Sequence, residues 1–353
     1  MAPTFLCRWH PRHSISRPRP VTKLGAPRLA GMRHFFSLTL AGLTLIAGGA
    51  VAKTLTVAAD GSGDFKTVQA AIDAAPSDSA ERTTILVRRG TYAELVVVPR
   101  DKKTLTVRGE DRQGTIIAAT NNAKLNPRRR ELFSVEADDF VLENLTLHNT
   151  TPKGGSQAEA IRVQADRVIL RDCDFKSFQD TLRLDGRVYV RDCYVEGDVD
   201  YVWGAGVVYF DRCTFHSVHN GYLVQSRNGA DALGYVFVDC TLTAAPNVER
   251  FVLARIEPVR FPHSHVAFIN CAMGPHLSRV GWQLDKVPGA EAPGAAAQIR
   301  FWEFQSRDLS GQPLAVVGRL AAARQLSAAE AAELLRIDRV LGGWSPLVAE
   351  PSR

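Results

Sequence analysis

Acidic residues are missing from the first 52 positions. That stretch holds seven basic residues (Arg8, Arg12, Arg17, Arg19, Lys23, Arg28 and Arg33) and no Asp or Glu, so the formal net charge of +6 is an end effect. Past it, 36 basic residues stand against 37 acidic ones, and no basic surface is left for nucleic acid. Metal-ligand spacing is missing as well: His148, His216 and His219 fall into no ligating pattern and read as structural. No apolar run reaches the roughly 20 residues a membrane span needs, which argues against an anchor. Cysteine is scarce, with five of the six residues lying past position 52, and an odd number argues against a full disulfide framework. Helical periodicity is absent through the middle of the chain, which excludes an array of paired helices.

What the N-terminus does contain is an export signal. Arg33 and His34 form a basic start, Phe35 to Ala47 are mostly apolar, and Ala50-Val51-Ala52 is a small-x-small cleavage site. Met32 is a second candidate start, which makes residues 1–31 a basic extension and residues 32–52 the signal. Cleavage near Ala52 leaves residues 53–353 as one soluble domain, secreted or periplasmic; no Cys follows the site to take a lipid. At 45% hydrophobic residues the chain has enough apolar side chains for one sizeable core.

The middle of the chain repeats. Short β-rich runs such as Val168-Ile169-Leu170, Val188-Tyr189-Val190 and Tyr235-Val236-Phe237-Val238 lead into a shared pattern ending in Cys173, Cys193, Cys213, Cys240 and Cys271, with Leu145 in the same slot of an earlier copy. The intervals are 28, 20, 20, 27 and 31 residues, which predicts one supersecondary unit per repeat stacked on the next. The fold expected is all-β, a parallel β-helix, with Cys as a small buried filler in a ladder. Cys193 and Cys213 are the pair that neighbouring coils bring within disulfide range. Short capping helices are expected at both ends: one over Thr67–Ala75, stopped by Pro76, and one opened by the capping box Ser327-Ala328-Ala329-Glu330 and running to about Leu341. Pro288 to Ala297, rich in Ala, Gly and Pro, reads as a surface loop.

Two carboxylates stand out within these coils. Asp180 in Phe178-Gln179-Asp180-Thr181-Leu182-Arg183 and Asp200 in Gly197-Asp198-Val199-Asp200-Tyr201-Val202-Trp203-Gly204 both lie in apolar surroundings, one coil apart. A carboxylate in such a place is costly unless it is partnered or used, and two at this spacing suggest a two-carboxylate site.

These segments, together with Ala59-Asp60-Gly61-Ser62-Gly63, Gly90-Thr91-Tyr92-Ala93-Glu94, Gln157-Ala158-Glu159-Ala160-Ile161 and Gly342-Gly343-Trp344-Ser345-Pro346, resemble the pectin methylesterase (pectinesterase) family across nearly all of the exported chain. The resemblance implies a right-handed parallel β-helix that hydrolyses the methyl esters of galacturonate in pectin, as a monomer and without cofactor or metal. It assigns Asp200 as the nucleophile that forms a covalent intermediate and Asp180 as the acid that protonates methanol and then serves as base toward water. Arg255 holds the nucleophile ionised, and Gln157 and Gln179 stabilise the oxyanion. Trp203 and Trp282 fall where the family stacks aromatics on sugar rings; Arg183 and Tyr201 complete the expected substrate-binding set. The chain departs from the family at Ala254-Arg255-Ile256-Glu257, where Gly-Arg-Pro-Trp is usual, at Arg183, where Tyr is usual, and at Val252, where an aromatic is usual. Those departures touch the sugar subsites and leave the ester chemistry intact. Two alternatives stay open at this stage: a related hydrolase acting on another ester or thioester, and a non-catalytic polysaccharide-binding β-helix. Methanol release from methylated pectin separates them.

Overall fold

A computed structural model describes residues 53–286 and 294–346. The export signal, the basic extension and most of the loop expected at Pro288 to Ala297 lie outside the described residues.

The repeat is a stack of coils. One strand from each coil joins an 11-stranded parallel sheet that climbs in sequence order from Thr54–Val57 through Val168–Arg171 and Arg187–Arg191 to Ala323–Gln325. The remaining strands form a second set of ladders, again parallel, which includes Ile161–Val163, Leu182–Leu184 and the long strand Tyr194–Gly204. Among the described residues every pairing between these strands is parallel, because each partner lies one full coil away. This is a parallel β-helix.

The local cause is the corner that precedes each Cys slot. Asn144, Asp172, Asp192, Arg212, Asp239 and Asn270 all adopt left-handed backbone, with φ between 51° and 58°. Asn and Asp tolerate that region better than other non-glycine residues, which is why four of the five cysteines in these slots follow Asp or Asn, Cys213 after Arg212 being the exception. The corner turns the chain inward, and Leu145, Cys173, Cys193, Cys213, Cys240 and Cys271 are all buried behind it. Each thiol lies against backbone carbonyls, as Cys193 Sγ does at 3.2 Å from Arg191 O and 3.6 Å from Leu170 O. The five described cysteines are free, so the pairing of Cys193 with Cys213 does not form: neighbouring slots are level, but their thiols are spent on carbonyls. Burial pushes the Cys173, Cys213 and Cys240 thiols up and keeps them protonated. Like residues also stack elsewhere in the core. Phe210, Phe237 and Phe268 lie face to face at 4.4 and 4.5 Å between ring centres.

The first helix, Val68–Ala74, is capped by Thr67, whose hydroxyl accepts from Ala70 N at 3.2 Å, and it buries Val68, Ala71 and Ile72. The capping box at Ser327 and Glu330 forms in both directions. Its helix is shorter than expected, Ala328–Leu335, because Arg336 is extended before a second short turn, Ile337–Val340. The break lets Leu334, Val340 and Leu341 all reach the outer face of the first sheet, where they pack with Tyr189, Tyr209 and Val236.

Candidate active site

Strand pairing sets which side chains leave the coil. Phe133, Ile161, Leu182, Val202, Val224 and Ala254 form one level row and are all fully buried. The next residue of each coil points the other way, since side chains alternate along a strand. That outward row reads Ser134, Arg162, Arg183, Trp203, Gln225, Arg255, and it forms the floor of the candidate site.

Asp200 sits at an irregularity in this ladder. Val199 pairs with Tyr222 and Val202 with Val224, so Asp200 and Tyr201 together oppose Leu223 alone. Such a bulge re-aims side chains, and Asp200 has left-handed backbone with φ 48°. Its carboxylate meets Arg255 two-fold, Nε to Oδ1 at 2.8 Å and Nη2 to Oδ2 at 2.5 Å. Gln225 adds its amide, Nε2 to Oδ2 at 3.3 Å. Arg255 is itself braced by the face of Tyr222 at 4.4 Å and by Asp285, 3.3 Å from Nη1. The Asp200 carboxylate, bonded to it, raises the guanidinium pKa further above its already high range.

Asp180 lies on the preceding coil, also with left-handed backbone at φ 70°, and its N–H donates to Val199 O at 3.1 Å. Its surroundings favour the protonated form. Burial first, then the Glu159 carboxylate, raise its pKa well above the usual carboxylate range; Arg130 opposes them, and Asp200 adds to the rise. The two carboxyl groups thus differ in their surroundings: Asp200 is held two-fold by a guanidinium, and Asp180 is favoured in its protonated form. Paired carboxyl groups in unlike environments mark acid and base assignments.

Gln157 and Gln179 are half-buried at the same corner on successive coils, where Ala158 N donates to Gln179 O at 3.1 Å. Trp203 stands in the outward row beside the carboxylates, but guanidinium groups occupy its ring: Arg183 at 4.5 Å, Arg227 at 4.7 Å and Arg130 at 5.3 Å from the centroid. Arg183 is further tied to Asp185 at 2.8 Å.

Two expected substrate contacts are corrected. Trp282 belongs to the inward row, level with Ala254, and is 1% exposed. It stacks on Phe301 at 4.7 Å and gives its indole N–H to Glu303 at 3.1 Å, so it is a core residue. Tyr201 is turned inward by the bulge and is likewise 1% exposed, packing beside Phe251 with its hydroxyl 3.3 Å from Ser217 Oγ.

Four side chains at the site were not expected: Arg130, Glu159, Gln225 and Arg227. Glu159 carried a visible signal, a carboxylate inside an apolar run, the same feature that drew attention to Asp180 and Asp200. The others become visible only through register.

The pectinesterase family model matches residues 54–290. Pectinesterase 31 of Arabidopsis thaliana is 34% identical over 248 residues, which cover 66% of this chain and 77% of that protein. A pectinesterase of Daucus carota is 36% identical over 174 residues, 48% of this chain and 54% of that protein. Among solved structures, the pectin methylesterase from carrot superposes with a TM-score of 0.72 at 24% identity, over 86% of this chain and 98% of that one. The pectin methylesterase from Yersinia enterocolitica gives 0.67 at 26% identity, over 80% of this chain and all of that one.

Proposed function

Because the chain belongs to the pectinesterase family, we propose that Asp200 and Asp180 are the two carboxyl groups with which it hydrolyses the methyl esters of galacturonate in pectin. The observation that carries this assignment is the contrast in surroundings: Arg255 grips Asp200 through both carboxylate oxygens, while burial and Glu159 favour a proton on Asp180.

In the first half-reaction an Asp200 oxygen attacks the ester carbonyl. The carbonyl electrons move to oxygen, and the amides of Gln157 and Gln179 stabilise that oxyanion. Collapse breaks the bond to the methoxy oxygen, which takes the Asp180 proton and leaves as methanol. The galacturonyl group is then held on Asp200 as a mixed anhydride. In the second half-reaction Asp180, now a carboxylate, accepts a proton from water, and the hydroxide attacks the galacturonyl carbonyl. Asp200 leaves as carboxylate, the sugar acid is released, and Asp180 is protonated as at the start. Trp203, buried beneath Arg183, Arg227 and Arg130, supports the sugar-binding floor from below, and Arg183 suits a free galacturonate carboxylate.

The test is methanol release from highly methylated pectin by the purified chain, followed against de-esterified pectin as control. Steady methanol production is expected; none above the uncatalysed rate, from protein with native circular dichroism, overturns the proposal. The same reading takes the enzyme to its polymeric substrate by export, supported by the signal-like residues 32–52. No helix among the described residues is long and apolar enough to cross a membrane. N-terminal sequencing of the exported protein should begin at Lys53; recovery of residues 33–52 in a membrane fraction rejects this.

A further inference from the structure

Asp180 has conflicting needs. To deliver a proton it must be held in one orientation, and a guanidinium is a good clamp. A lone guanidinium, however, favours the carboxylate and strips the proton that has to be delivered. The structure places two residues around Asp180 that resolve the conflict.

Glu159 lies one coil before Asp180, in the level position set by the pairing of Ile161 with Leu182. Arg130 comes from the coil before that, where Phe133 pairs with Ile161. Glu159 is 0% exposed, and its Oε2 has no hydrogen-bond partner in the protein. Its Oε1 accepts from Arg130 Nε at 2.8 Å, and Nη2 of the same group lies 2.8 Å away. That Nη2 also donates to Asp180 Oδ2 at 3.0 Å. A buried ion pair gives little net stability, and an apolar filler of similar volume often serves the fold as well or better. The pair therefore calls for a role beyond packing.

We propose that Arg130 and Glu159 act as one positioning unit for Asp180. Glu159 cancels the charge of Arg130, so Arg130 can hold Oδ2 by a hydrogen bond while Oδ1 keeps the proton that passes to the leaving methanol. This rests on Asp180 being the general acid. The other charged groups around it are consistent with a local balance. Asp200 on the following coil is paired with Arg255, and Arg183, three residues after Asp180 on the same coil, is paired with Asp185. Glu131, 3.6 Å from Arg162, acts on Glu159 through space. Arg227 acts on Asp180 through space and favours its ionised form.

The test is the pH profile of kcat/KM for methanol release, measured on the full chain. Glu159→Gln keeps the shape and removes the charge, leaving Arg130 as an uncompensated cation on Asp180. The Asp180 pKa then falls, its protonated form is lost at lower pH, and the alkaline limb moves acidward by about one pH unit or more. Arg130→Met removes the cation and leaves two buried carboxyl groups, so the limb moves the other way. If that variant does not fold, the double variant Arg130→Met/Glu159→Gln, which buries no unpaired charge, replaces it; its limb is expected alkaline of that of Glu159→Gln. Opposite shifts support the proposal. An unmoved limb in Glu159→Gln overturns it, whatever happens to the rate, because a merely structural role lowers activity without moving the limb. Asp180→Asn separates the two levels of the argument. If it is inactive while the Glu159→Gln limb is unmoved, only the positioning unit fails; if it is fully active, the general-acid assignment fails beneath it.

Discussion

Replacing Asp200 with Asn is expected to lower kcat for methanol release by a factor on the order of 10⁶, the scale seen when a nucleophile is removed from an otherwise intact acyl-transfer site. The amide has nearly the shape of the carboxylate but lacks its charge, and its nitrogen cannot attack. Arg255 sharpens the loss. Its Nε and Nη2 now donate to both Asp200 oxygens. In the variant one of these donors faces an NH₂ group, which is also a donor, so the clamp loses half its complementarity. Pectin binding should survive or tighten, because removing one negative charge leaves the cleft more positive toward a polyanion. The expected result is therefore a collapse in kcat with KM equal or lower, in a protein whose circular dichroism and thermal midpoint match the parent. Asp200→Ala should behave alike and cannot revert by deamidation. More than a tenth of parental turnover in either variant sinks the nucleophile assignment.

Asp200 was legible in the sequence as a carboxylate in apolar surroundings, one coil from Asp180, whereas Tyr201 was misread because of a bulge. Strict alternation along Asp200-Tyr201-Val202-Trp203 puts Tyr201 on the face of Trp203, out in the cleft. The bulge opposite Leu223 breaks that alternation by one residue, so Tyr201 turns inward while Trp203 still faces out. A one-residue slip inverts the faces, and nothing in the local composition announces it. Trp282 failed for a related reason. Gly281-Trp282-Gln283-Leu284 is compatible with either face, and only its pairing with Ala254 shows that Trp and Leu go in while Gln goes out. The Cys slots were legible because they recur once per coil, behind an Asp, Asn or Arg corner whose left-handed backbone is the same each time.

Arg130 shows the opposite limit. It reaches Asp180 across 50 residues of sequence, from a run of three arginines with no periodicity of its own. Its importance follows from the stacking of coils, which brings distant segments level, and a reading of neighbours along the chain has no access to that. The same holds for Gln225 and Arg227, which enter the site two rows beyond Asp180. Glu159 lies between the two cases: its burial was readable from the apolar residues beside it, whereas its partner was not.

Asp180→Asn is expected to be damaging in both half-reactions, and the way it fails distinguishes it from Asp200→Asn. An amide cannot act as the required acid toward the methoxy oxygen, and it cannot take a proton from water. Loss of a positioned acid–base group costs about 10²–10⁴ in rate, so turnover of methyl esters should fall by that factor or more. An activated ester, whose leaving group departs without a proton, bypasses the first need and not the second. With such a substrate Asp180→Asn should release leaving group in a burst close to one equivalent per enzyme and then stall as the covalent galacturonyl form, whereas Asp200→Asn should show no burst. Stability should change with a defined sign as well. The folded-state pKa of Asp180 lies well above the usual carboxylate range, chiefly because of burial. The parent thus carries a stabilising contribution that is full below the unfolded-state pKa and disappears as pH rises through the raised value. The Asn variant cannot ionise there, so its stability relative to the parent should increase as pH rises. Denaturant titrations at acid and alkaline pH read this directly. Stability of the variant relative to the parent that falls or stays flat as pH rises contradicts the protonated state of Asp180, and a first burst missing with the activated ester contradicts its role as the acid.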